Sequence, residues 1–203
     1  MRLFLALSVL AVIAGSGCSK DNSSGPEQNP SDMDYVAMGW SDFETQRFDS
    51  AVNNFTQAYS SQTSTSLIRG EALNGRGWSY AYKRDLVKSS GDLVFAIGLK
   101  GISPAALNDV RAGAAFVLYS LNDFSSAITY SNAVLTDNPS YVFTHDAKVT
   151  AKRLRLLLVQ SYYANGNFSS AASQMDIVDP ARAPHSADPS ALLASITSAL
   201  NSL

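Results

Sequence analysis

Apolar residues along this chain recur at helical spacing from about residue 32 onward. Gln46 to Tyr59 carries the pattern most cleanly: Phe48, Ala51, Phe55 and Ala58 fall three and four residues apart and make one stripe of a helix. Small Ala residues let a neighbouring helix come close, and the aromatics fill the space beside them. The stripe recurs. Phe124-Ser125-Ser126-Ala127 and Phe168-Ser169-Ser170-Ala171 are near copies of Phe48-Asp49-Ser50-Ala51, and Leu86-Val87-Lys88-Ser89 is a weaker one. Their first residues are spaced by 38, 38 and 44 positions. A recurrence of that length means stacked helix pairs.

The elements follow from caps and breakers. A first helix starts after Ser31 or Asp32 and runs to about Gln46; a second covers about Asp49 to Tyr59. A third covers about Leu67 to Lys83. Ser89-Ser90-Gly91-Asp92 lies inside the fourth and has the composition of a turn. Ser103-Pro104 opens a fifth helix, reaching about Leu121, as a cap followed by proline. Asn122 or Asp123 caps the sixth, which ends near Asn138. Asp146 opens a long seventh helix to about Ala164, and the eighth ends near Val178. Asp188-Pro189 begins a last helix in which Leu192, Ile196, Ala199, Leu200 and Leu203 share a face.

These pairs resemble tetratricopeptide (TPR) repeats. In the first, Tyr35, Gly39, Phe48, Ala51, Phe55 and Ala58 match the consensus positions. In the second, Leu73, Gly77, Tyr80, Leu86, Leu93 and Ala96 match, with Ser89 in place of an Ala. In the third, Ala115, Leu118, Phe124 and Ala127 match, while Tyr130 and Ala133 come one residue early and imply a shifted helix. In the fourth, Val159, Tyr162, Phe168, Ala171 and Met175 match. The resemblance implies an all-α fold: a right-handed α-solenoid of about four helix pairs over residues 32–180. Residues 181–203 form a linker and a capping helix that covers the last pair.

The amino terminus is of another kind. Arg2 precedes an apolar run from Leu3 to Ala14, then come small residues, then Cys18, the single cysteine of the 203 residues. This resembles a bacterial lipoprotein signal, departing from it at Gly15, where an aliphatic residue is usual. The resemblance implies cleavage after residue 17 and a lipid anchor on Cys18. Residues 18–31 are polar and form a flexible tether. Ser19 beside the cysteine implies export to the outer membrane, with the protein facing the periplasm.

Net charge of −2 gives no reason to expect nucleic-acid binding. His145 and His185 stand alone, each in a loop-like context, His145 reading as a surface residue at a helix start. No metal-ligand spacing, nucleophile elbow or phosphate loop accompanies them, so neither catalysis nor a cofactor is expected. Two features point to binding instead. Lys148, Lys152 and Arg155 lie at i, i+4, i+7 on the seventh helix and form a basic face. Aligning the first helix of each pair brings Trp40, Trp78 and Phe116 to one position and Phe43, Tyr119 and Tyr163 to another. In the repeats this chain resembles, those positions face the concave groove. Exposed rings there suit protein or peptide recognition. A cell-envelope scaffold that binds other proteins is therefore expected. The alternative is an uptake lipoprotein whose indoles stack on a glycan or small molecule.

Overall fold

The computed structural model describes residues 29–202. Residues 1–17, Cys18, nearly all of the tether and Leu203 lie outside the described residues. Eight helices form four consecutive hairpins: α1 (Asp32–Glu44) with α2 (Phe48–Ser60), α3 (Ser66–Tyr82) with α4 (Leu86–Ile97), α5 (Pro104–Ser120) with α6 (Phe124–Asp137), and α7 (Ala151–Ala164) with α8 (Phe168–Val178). A short turn at Pro180–Arg182 leads to α9 (Pro189–Leu200). Each helix packs on the next. The first helices of successive pairs also touch, α1 on α3, α3 on α5 and α5 on α7, so the pairs stack as an α-solenoid. None of the described helices is long and apolar enough to cross a membrane.

The hairpin turns repeat in detail. Gln46, Arg84, Asn122 and Gly166 all take left-handed backbone conformations, with φ of 61°, 63°, 63° and 75°. Each donates its N–H to the carbonyl three residues back. The next N–H, of Arg47, Asp85, Asp123 or Asn167, reaches the carbonyl five residues back at 2.8–2.9 Å. These bonds satisfy orphan carbonyls at the end of one helix. Asp85, Asp123 and Asn167 then cap the next helix through their side chains. Asp123, and not Asn122, is the cap of α6. At the chain's start Ser31 and Asp34 form a reciprocal capping box.

Packing repeats too. Ala51, Ala127 and Ala171 are fully buried where paired helices cross. Ser89 takes the same place in α4, and its hydroxyl donates to the Gly77 carbonyl at 2.7 Å. Phe55 wedges between Gly39 of its own pair and Gly75 of the next; a Cβ at those glycines would lie 2.6 and 2.1 Å from its ring. Leu93 repeats the wedge between Gly77 and Gly113, at 2.6 and 3.1 Å. Thus glycine in the first helices makes room for one large side chain from the second.

Four expectations need correction. α4 does not break at Gly91. Ser89, Leu93 and Ala96 line its buried face, Gly91 faces open space, and Asp92 holds Arg76 of α3 at 2.7 and 2.9 Å. α6 is not shifted. Ser131 and Val134, rather than Tyr130 and Ala133, are the fully buried residues, and they keep the 38-residue spacing from Leu93 and Ala96. α7 begins at Ala151, capped by Thr150, because residues 146–150 are taken up by a turn. On α9, Leu192, Ile196 and Ala199 pack against Leu156, Val159, Ala171, Ala172 and Met175, covering the last pair, whereas Leu200 is exposed.

Candidate partner-binding groove

The first helices α1, α3 and α5 carry Trp40, Trp78 and Phe116 at equivalent positions, as their spacing requires. The rings are not an open wall. Trp40 is 8% exposed, Phe43 3% and Trp78 3%. Phe116, Tyr119 and Tyr163 remain half-exposed. This corrects the expectation of an open aromatic groove along all four pairs. The cover comes from the chain itself.

The 13-residue loop 138–150 between α6 and α7 is much longer than the corresponding loops 61–65 and 98–103. It accounts for the 44-residue spacing, six beyond the regular one. The loop folds across the first helices. Phe143, fully buried, lies flat on Trp78, with ring centroids 4.4 Å apart and planes 18° apart, and meets Trp40 edge-on at 5.9 Å. His145 stacks on Trp40 at 3.6 Å and 1°. Offset and edge-on contacts of this kind add to plain burial. Polar groups fix the loop at both ends. The Tyr141 hydroxyl donates to Asp109 at 2.8 Å, His145 Nδ1 lies 2.8 Å from Glu44 Oε1, and the Tyr82 hydroxyl donates to Asp146. A bridge between Val142 and Thr150, with Phe143 N–H donating to the Val149 carbonyl at 2.9 Å, closes the loop on itself. His145 is therefore a half-buried loop residue and not a helix start.

Electrostatics follow burial. Desolvation pushes the Asp109 carboxyl up to about 6; the Tyr141 hydroxyl opposes that shift and nearby Glu71 adds to it. Burial also raises Glu71, and it raises the Tyr141 and Tyr82 hydroxyls, which in addition donate to carboxylates. The Trp78 indole N–H donates to the Asp109 carbonyl at 3.1 Å.

The basic face is rearranged as well. Lys148 is exposed in the loop and is not on α7. Lys152 is exposed on α7. Arg155 turns toward α8 and donates to Gln174 at 2.7 Å, with its partial burial lowering its basicity. The three do not form one exposed row. Arg153 instead reaches the concave side. There a cavity of ≈ 290 Å³ opens beside the loop, lined by Trp78, Ala81, Phe116, Val117, Val149 and Arg153 among others. Sequence reading passed over Phe143, gave His145 only a surface role and left Arg153 out of the basic face. The signal available for the first two was the six-residue excess between pairs three and four.

No family model matches the chain, and no curated protein does. Solved structures do. A MamA structure from MSR-1 is 16% identical, with 84% of this chain and 86% of that chain covered and a TM-score of 0.59. A MamA structure from AMB-1 is similar at 15% identity, 84% and 93% coverage and a TM-score of 0.60. A tetratricopeptide repeat protein from Parabacteroides merdae is similar at 12% identity and a TM-score of 0.59, with 84% of this chain covering 60% of that one. At such identities the likeness is one of fold. The described chain has the TPR-like α-solenoid fold.

Proposed function

We propose that this protein is a lipid-anchored scaffold of the cell envelope that holds another protein on its concave side and catalyses no reaction. The observation that carries the binding part is the half-open aromatic wall. Its first part is closed by the chain's own loop, but Phe116 and Tyr119 stay accessible beside a cavity reaching Trp78. Large rings at the bottom of an opening are the usual anchors of protein recognition. TPR-like folds are commonly protein-binding, which supports the same reading. The anchor rests on the apolar run and lone Cys18 of the sequence, followed by a polar tether of about a dozen residues. The glycan alternative needs flat, exposed indoles, and Trp40 and Trp78 are covered.

The test has two arms. Replacing Cys18 with Ser is expected to release the protein from membranes or leave it unprocessed; fractionation and gel mobility identical to the wild type would contradict the anchor. Cross-linking from a photoreactive residue at Tyr119 in intact cells, then mass spectrometry, is expected to yield a defined protein adduct. An adduct with glycan or lipid alone would contradict the scaffold.

A further inference from the structure

The opening beside the loop has a composition that specifies what it takes. Trp78 and Ala81 of α3, Phe116 and Val117 of α5 and Val149 of the loop form apolar walls around ≈ 290 Å³. That is at the small end of ligand pockets and suits one large side chain. Among the described residues, the only charged one lining it is Arg153. Its backbone N–H is bound to the Thr150 cap, but its guanidinium makes no hydrogen bond or ion pair among the described residues. The nearby carboxylate of Asp146 already accepts from the Tyr82 hydroxyl and the Lys148 N–H. A guanidinium beside apolar walls is poorly solvated and gains most from an incoming carboxylate, which it can hold through two N–H groups.

The chain also demonstrates what side chain this wall accepts. Its own loop, closed by the Val142–Thr150 bridge, sends one aromatic ring, Phe143, onto Trp78. We propose that the cavity is the anchor subsite for an acidic partner segment: one whose Phe or Leu side chain enters the cavity against Phe116 and Val149 while a neighbouring Asp or Glu pairs with Arg153. This rests on the protein-binding reading and names the chemistry of its partner.

The probe is the blocked peptide acetyl-Gly-Ser-Phe-Glu-Ser-Gly-amide, titrated into isotope-labelled protein and followed by NMR. Saturable movement of the Trp78 indole N–H and the Phe116 and Val149 amides is expected. Arg153→Glu is expected to weaken binding about tenfold, the loss of one charge-assisted contact. The same variant should regain affinity for the peptide with Lys in place of Glu. Arg153 has no ion pair to lose, so the melting temperature of the variant should match the wild type; if it does not, Arg153→Gln is read for the same loss. Ser120→Trp, placed at the rim, should abolish binding. No saturable movement with either peptide, or an Arg153→Glu protein that binds the Glu peptide unchanged, would overturn the inference. Movement with dodecanoate but not with the peptide would mean a lipid pocket and would overturn it too. If a cross-linked partner is recovered while this cavity stays silent, the scaffold reading stands and this inference falls.

Discussion

Phe143 lies face to face with Trp78, 4.4 Å between ring centroids, although the two are 65 residues apart in the chain. The contact ties the third loop between helix pairs to the second helix pair. It turns an indole that would line a groove into a core residue.

A core indole has a measurable consequence. Phe143→Ala and Trp78→Ala are each expected to cost about 3–5 kcal/mol in urea unfolding. Because the rings touch, the double variant should cost less than the two single costs together, with a coupling of about 0.5–1.5 kcal/mol. Strict additivity would mean that the rings do not stack.

The wedge of Phe55 between two glycines makes a second test. Gly75→Ala puts a methyl 2.1 Å from the ring, and the ring is held on its other side by Gly39. Overpacking of about 2–3 kcal/mol is expected. Gly91→Ala, on the outer face of α4 with nothing within 4 Å, should instead stabilise by about 0.5–1 kcal/mol through better helix propensity. Equal melting temperatures for the two variants would contradict the packing.

Much of this was legible in the sequence, and the boundary is physical. Caps and the Ala positions at helix crossings depend on neighbours within one hairpin, and Ser31, Ala51, Ala127, Ala171 and Asp188 all lie where local pattern puts them. Ser89 and Ser131 hid regular positions because the repeat specifies size and burial rather than one residue type; Ser89 satisfies its hydroxyl on Gly77. The loop was opaque for a different reason. Nothing near Phe143 encodes that its ring meets Trp40 and Trp78, since that contact is a property of the assembled wall. The equivalence of Trp40 and Trp78 was correct, and their exposure was not.

Asp109 sets a pH dependence. Its folded carboxyl is raised from 3.8 to about 6, chiefly by burial, so the folded state holds the proton more tightly than the unfolded chain does. The ionised form costs stability above about pH 6, and that cost disappears as pH falls toward 4. Asp109→Asn keeps an acceptor for Tyr141 and removes the charge. Since Asp109 is half-buried, screening limits the effect. The variant should be more stable than wild type by about 1–2 kcal/mol at pH 8 and equal to it near pH 4. A difference that does not change with pH would contradict the burial of that carboxylate.

The central claim is that the chain's own loop covers both tryptophans. Trp40 and Trp78 are the only two in the protein, so acrylamide quenching of its fluorescence reads them directly. Weak quenching is expected for the wild type. A several-fold rise is expected when Phe143 and His145 are both replaced by Ala, at a temperature where circular dichroism shows the helices intact. Wild-type quenching close to that of free tryptophan would mean the groove is open and the loop lies elsewhere.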